Sequence, residues 1–427
     1  MIDIKELKTR RDEIAKNIKD RYMNVDLDAI IKDQEERGSL LVEVDNLRAK
    51  RNDNAQKMKQ KLDQETRMAL IEEGKNIKAE LAEKEAKLAE IDKKFIEEAR
   101  TIPNYASPEA PIGKEDKDNL AIKFVGEPTR FDFKAKDHVQ LGEALDILDF
   151  DKGAKVSGQK FYYIKNKGVI LQMALERYAM DIVIKHGFTP FITPDVAKEE
   201  ILNGIGFNPR GAESNIYTLE GTGTCLVGTA EITLGGYYSD TILDKKDLPI
   251  KMTGLSHCFR REAGGAGQYS KGLYRVHQFS KLEMFIYCLP EESDSFHKEI
   301  LSIEEEIFTG LGLPYRIVDT ATGDLGAPAY RKFDIEAWMP GRGDDGEYGE
   351  VTSTSNCTDY QARSLNIRYR DDDGKIKFVH MLNGTAVALS RAIVAVLENY
   401  QNEDGSVSIP PALIPYCGFD KIEKKND

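Results

Sequence analysis

Between residues 27 and 100, apolar side chains recur at alternating intervals of three and four. Leu40, Val44 and Leu47 form one stripe; Ile77, Leu81, Leu88, Ile91 and Phe95 form a second, with Lys84 filling a gap. This spacing predicts two helices that share a narrow seam, as in a two-stranded coiled coil rather than a broad bundle face. The first stripe breaks at Arg51 and Asn54, and Gln60–Thr66 lies between the two, so an antiparallel hairpin is expected to turn there. The stretch has no proline and only two glycines, Gly38 and Gly74, in a background of Lys, Glu, Ala and Leu that favours helix. At about 1.5 Å rise per residue, roughly thirty residues per helix give an arm of about 45 Å.

The helical pattern stops at Ile102-Pro103-Asn104. Pro103, Pro108 and Pro111 then lead into polar sequence that runs to about Arg130, which is linker composition. From Phe131 onward short apolar runs alternate with helical segments, without the regular rhythm of a Rossmann fold. Strands are expected at Phe161–Ile164, Ile250–Phe259, Tyr274–Tyr287, Phe333–Trp338 and Phe378–Leu382, and helices at Gly168–Lys185, Glu291–Leu311 and Thr385–Tyr400. The expected layout is α+β: an N-terminal domain over 1–110 carrying a helical arm at about 27–100, a linker over 111–130, and a domain over 131–427 built on an antiparallel sheet flanked by helices.

Charge adds one feature. The net charge is -13, but residues 1–100 are close to neutral, and within Arg48–Lys61 six basic residues face one acid, Asp53. A basic strip on an acidic protein can bind phosphates, because fields are short-ranged at physiological salt. No apolar stretch is long enough to cross a bilayer, and the charged N-terminus has no signal-peptide core, so a cytoplasmic protein is expected. The five cysteines form no CxxC pair and the six histidines no cluster, which argues against a zinc site and against a disulfide framework.

Nucleotide chemistry enters through arginines rather than a phosphate loop. There is no GxxxxGK[ST], and the run Gly264-Gly265-Ala266-Gly267 does not open a helix. Its flanks read Cys258-Phe259-Arg260-Arg261-Glu262-Ala263-Gly264 and Arg275-Val276-His277-Gln278-Phe279-Ser280-Lys281-Leu282-Glu283-Met284. This resembles motif 2 of the class II aminoacyl-tRNA synthetases, in the form used by the seryl-tRNA synthetase family. Gly187–Pro194 looks like motif 1, whose proline lies at the dimer interface in that family. Asn383–Arg391 looks like motif 3, here expected to open a helix with small alanines at 386 and 388. Thr229-Ala230-Glu231 and Glu350–Asn356 resemble two further signatures of the serine branch, and the likeness extends from about Ile2 to Gly418.

The resemblance implies a class II catalytic domain that joins L-serine to the α-phosphorus of ATP and passes it to the 3' end of tRNA(Ser), and of tRNA(Sec) where that tRNA exists. A carboxylate nucleophile needs no general base; two anions must be oriented and their charge neutralised. Arg260 would bridge the α-phosphate and the serine carboxylate, and Arg391 would hold the γ-phosphate. Phe279 would stack on adenine, with Glu262 and the backbone of Val276, His277 and Gln278 reading its edge. Glu350 and Ser353 offer oxygen ligands for Mg2+. Thr229, Glu231, Glu283, Asn383 and Thr385, with Arg260, would bind serine. The family also implies a homodimer and an N-terminal coiled coil that grips the long variable arm of the tRNA. Arg48, Lys50, Arg51, Lys57, Lys59 and Lys61 are the residues expected to contact it. The alternative is a synthetase-like paralogue that loads a carrier protein or acts as a regulatory binding protein.

Overall fold

The computed structural model describes residues 1–207, 215–262 and 271–424. The loop glycines Gly264, Gly265 and Gly267, with Ala263 and Ala266, lie outside the described residues. The chain divides into two compact units, Met1–Pro103 and Asn104–Asp427.

In the first unit, α1 (Arg11–Asp20) precedes two long helices, α2 (Leu27–Lys57) and α3 (Gln64–Ala99), which pair as a hairpin. Each long helix starts on an aspartate cap: Asp26 accepts the Ala29 N–H at 3.0 Å, and Asp63 the Thr66 N–H at 2.7 Å. The buried seam carries Leu40, Val44 and Leu47 from α2 against Ile77, Leu81, Ile91 and Phe95 from α3. Ion pairs flank it: Lys84–Glu43 at 2.7 Å, Arg48–Glu85 at 2.8 Å and Lys87–Glu36 at 2.9 Å. One detail departs from the sequence reading. Asn54 does not break the seam but continues it, buried, with its amide donating to Leu70 O at 3.1 Å and to Glu73 at 3.0 Å. A polar group can sit there because the facing residue is Gly74, where a Cβ would come within 3.2 Å of the Asn54 side-chain oxygen.

The second unit is organised on an eight-stranded sheet. Its strands are β1 (Leu120–Val125), β2 (Thr189–Ile192), β3 (Ile250–Phe259), β4 (Gln278–Cys288), β5 (Tyr315–Asp319), β6 (Arg331–Met339), β7 (Glu347–Asn356) and β8 (His380–Ala388). They lie in the order β1-β5-β6-β7-β8-β4-β3-β2, antiparallel except for the β2–β3 pair. The helices that matter for the site are α4 (His138–Ala144), α5 (Lys167–Lys185), α6 (Ala230–Gly236), α7 (Ser293–Gly310), α8 (Tyr360–Leu365) and α9 (Leu389–Asn399).

The pleat of β4 sorts its side chains. Leu282, Met284, Ile286 and Cys288 face the larger core with α5, α7 and α9, while Phe285 and Tyr287 enter a second core with α6 and α8. On the second face, toward the strand's start, the same alternation carries Phe279, Lys281 and Glu283. The polar site and an apolar core thus share one strand face, end to end.

Two expectations need correction. Residues 111–130 are not a plain linker, since Leu120–Val125 form β1, the edge strand paired with β5. Asn383–Ala388 do not open a helix; they complete β8, and α9 begins at Leu389. The β-branched Thr385 and Val387 suit a strand, and Gly384 lets it lie tight on α7, where a Cβ would meet Ile300 Cγ2 at 2.2 Å. Ala386 and Ala388 are therefore small strand residues, with the ladder to β4 shifting register between Leu282 and Glu283.

Candidate active site

The predicted residues gather on two cavities above β3, β4, β7 and β8. The first, of about 100 Å³, is lined among others by Glu262, Val276, Phe279, Glu350, Ser353 and Arg391. The second, of about 410 Å³, is lined by Thr229, Glu231, Glu283 and Asn383. Arg260, Lys281, Ser353 and Thr385 line both. His277 and Gln278 face elsewhere: the His277 ring packs on Phe161, and Gln278 lines a separate cavity of about 280 Å³ beside His257.

Arg260 stands at the junction. Its Nε donates to Gly228 O at 3.2 Å, and its guanidinium lies over the Phe279 ring at 5.3 Å from the centroid. Held at one edge and one face, this planar cation lines both cavities.

At the end of the first cavity, Arg391 pairs with Glu350 Oε1 at 2.9 Å and donates to Glu350 O at 3.2 Å. Burial alone would raise the Glu350 carboxyl, but Arg391 and Lys332 outweigh it and hold it down at about 2. The Arg391 guanidinium in turn lies 4.8 Å from the Tyr274 ring centroid, and the Tyr274 hydroxyl donates to Glu350 O at 3.2 Å. Sequence reasoning did not single out Tyr274.

The second cavity brings two carboxylates, Glu231 and Glu283, together with the cations Arg260, Lys281 and Lys332. Glu283 is buried, accepts from Thr229 Oγ1 at 2.9 Å, and is paired with Lys281. Lys281 also donates to Thr385 Oγ1 at 3.3 Å. Thr229 caps α6, accepting the Glu231 N–H at 3.2 Å, and this turns Glu231 into the cavity. The Glu231 carboxylate takes two amides, Gln361 at 2.8 Å and Asn383 at 3.0 Å. Burial first, and then the neighbouring Glu283, push Glu231 up to about 7. Such a group invites a cation. Lys281 and Gln361 are absent from the sequence-based site, although Lys281 shares a strand face with Phe279 and Glu283 by simple alternation.

Among the described residues no group of three or more His, Cys, Asp or Glu is placed to hold a metal, and no helix is long and apolar enough to cross a membrane. On the arm, Arg48, Lys50, Arg51, Lys57, Lys59 and Lys61 are exposed. Two of them already have partners, Arg48 in Glu85 and Lys57 in Asp53 at 2.7 Å.

With this geometry in view, the chain can be set beside known proteins. Residues 1–106 match the family model for the seryl-tRNA synthetase N-terminal domain, and residues 217–400 that for the class II tRNA synthetase core domain (G, H, P, S and T). The chain is 64% identical to the serine–tRNA ligase of Treponema denticola over 422 residues, covering 99% of this chain and 100% of the relative. The structure resembles that of the seryl-tRNA synthetase of Pyrococcus horikoshii complexed with ATP, with a TM-score of 0.88, 40% identity and complete coverage of both chains. It also resembles the cytoplasmic serine–tRNA ligase of Naegleria fowleri in complex with AMP, with a TM-score of 0.81, 29% identity, and coverage of 97% of this chain and 95% of that one.

The elevated Glu231 carboxyl carries a test of its own. Unfolded, it would titrate near its ordinary value of about 4.3; folded, it keeps its proton up to about pH 7. Between those values the folded state binds more protons, so raising the pH through that window costs stability. In ligand-free Glu231→Gln, which keeps an acceptor for both amides, the unfolding midpoint should fall less than that of the parent between about pH 5 and 8. Identical pH profiles would show that Glu231 titrates normally.

Proposed function

The chain belongs to the seryl-tRNA synthetase family, a serine–tRNA ligase, and from that premise we propose that its two cavities hold ATP and L-serine on either side of Arg260. The observation that carries this reading is the sharing of Arg260 by both cavities. Adenylate formation brings a carboxylate against a phosphate, and a guanidinium reaching both can bind the two anions and neutralise charge as the bond forms.

In this reading adenine lies on Phe279 near Glu262, with the backbone of Val276, His277 and Gln278 along its edge, and Arg391 receives the γ-phosphate. Breaking the Arg391–Glu350 pair would free the guanidinium for phosphate and the carboxylate for a cation. Glu350 and Ser353 suit Mg2+: both donors are oxygen, and Glu350 is kept ionised by its cationic neighbours. When bound, Mg2+ would neutralise phosphate charge; the protein's own part is to present those oxygens beside Arg391. The serine ammonium goes to Glu231 and Glu283, and its hydroxyl to the Thr229, Asn383 and Thr385 set, with Lys281 beside the carboxylate. A pocket of such groups refuses alanine because its buried polar atoms would be left unpaired.

The same reading covers the partners. The exposed strip on the arm would contact phosphates of tRNA(Ser) along its long variable arm, and recognition by shape would serve tRNA(Sec) equally. A homodimer is proposed from motif 1. The outer face of α5 leaves Val169, Ile170 and Met173 exposed, and Ile192 of β2 is 89% exposed, an apolar surface that a second copy would cover. In this reading the protein acts in the cytoplasm.

ATP–pyrophosphate exchange against all twenty amino acids tests the core of the proposal: serine alone should support rapid exchange, and Arg260→Ala should lower it at least about a hundredfold with the fold intact. Exchange with threonine or alanine at the serine rate would sink the serine assignment; near-normal exchange by folded Arg260→Ala would sink the role of Arg260. For the arm, replacing Lys57, Lys59 and Lys61 together by Ala should spare exchange, weaken tRNA binding about tenfold, and flatten the dependence of log Kd on log salt by about two. Unchanged affinity and slope would return the strip to a solvated helix face. Light scattering should give about twice the 48.0 kDa chain mass at micromolar concentration, and the chain mass itself would count against the dimer.

A further inference from the structure

His138 and Glu398 line neither of the two site cavities, yet both are buried and tightly bonded. His138 opens α4; Glu398 lies near the end of α9. Glu398 Oε1 accepts from the His138 backbone N–H at 3.0 Å and from its ring Nδ1 at 2.8 Å, and Oε2 accepts the Gly341 N–H at 2.9 Å. Two donors on one oxygen place the ring proton on Nδ1 and leave Nε2 as an acceptor. That nitrogen takes the backbone N–H of Leu273 at 3.1 Å. Gly272, at φ +63, passes so close that a Cβ there would stand 2.2 Å from Nε2.

The next residue is Tyr274. Its ring faces two guanidiniums, Arg391 at 4.8 Å and Arg342 at 4.7 Å, and its hydroxyl holds Glu350 O. A continuous set of contacts therefore runs from Glu398 through His138 and Leu273 to Tyr274, and from Tyr274 to Arg391 and Glu350. It closes on itself, because Arg391 and Glu398 lie seven residues apart on one face of α9.

We propose that His138 is a positioning residue for adenylate formation: its imidazole, fixed by Glu398, holds the Leu273 N–H and so sets Tyr274 against Arg391 and Glu350. A side chain that supports only the Arg391–Glu350 end of the site should act on one substrate and not the other. This rests on the assignment of that end to ATP.

The test compares two full-length variants in ATP–pyrophosphate exchange. Asn at 138 keeps a donor for Glu398 but is too short to accept from Leu273; Gln loses that donor but its carbonyl oxygen reaches Leu273. His138→Asn should raise KM for ATP about tenfold while KM for serine stays within about twofold, and His138→Gln should keep KM for ATP within about threefold. An unchanged KM for ATP in the Asn variant, or equal rises for ATP and serine, overturns the proposal. Should His138→Asn fail to fold, His138→Gln decides alone: an ATP KM within about threefold supports the role, and a rise of about tenfold refutes it. Arg391→Ala serves as the control. If it leaves KM for ATP unchanged, the assignment of the ATP end is wrong; if it raises KM and His138→Asn does not, only the role of His138 falls.

Discussion

A carboxylate taken out of water must meet a cation or take up a proton, and the catalytic unit is arranged around that constraint. Glu350 and Glu231 show the two solutions a few strands apart. Arg391 and Lys332 hold Glu350 ionised in spite of its surroundings. At Glu231 burial and the neighbour Glu283 outweigh the amides and the cations Lys281 and Arg260, and its carboxyl rises to about 7. In the proposed reading the first serves as the anion at the nucleotide end. In the same reading the second gains its charge when the serine ammonium arrives. Arg260 completes the pattern as a cation that lines both cavities, where the proposed function has two substrate anions approach each other.

The sheet makes such packing affordable. Because successive side chains of β4 point to opposite faces, Lys281 and Glu283 can project into the site while Leu282 and Met284 seal the helical core behind them. The neighbouring strand repeats the device: Asn383 and Thr385 face the site, and Gly384 between them presses on Ile300 of α7. Glu304, completely buried on α7 near this point, has its carboxyl pushed up by burial.

Much of this was legible in the sequence because motif order carries information that single residues do not. Arg260, Glu262, Phe279 and Glu283 were readable as one constellation, and the structure brings them to adjoining cavities with Glu350 and Arg391. What was missed has identifiable causes. Ala386-Val387-Ala388-Leu389 has helical composition, and a strand buried on both faces shows no alternation to betray it. The edge strand β1 has a register shift between Ala121 and Lys123 that interrupts its alternation, and it sits among prolines and polar residues that read as linker. Asn54 looked like a break because a polar residue in an apolar stripe usually is one; only the facing Gly74 makes room for it. The partnership of His138 with Glu398 spans 260 residues of chain, and no local pattern announces it.

The two units meet charge in opposite ways, and this bears on what each can do. On the arm, the ion pairs that flank the seam are exposed and so contribute little to stability, while the apolar seam and the aspartate caps hold the helices together. Surface cations there can exchange one anionic partner for another at small cost: the Arg48–Glu85 and Lys57–Asp53 pairs are of this kind, and a phosphate is a fair substitute for either carboxylate. In the catalytic unit the Lys281–Glu283 pair is enclosed, and breaking it without replacing it leaves an uncompensated buried charge. The Arg391–Glu350 pair is more open, and in the proposed reading it exchanges each partner for a substrate ion, a phosphate for Glu350 and a cation for Arg391.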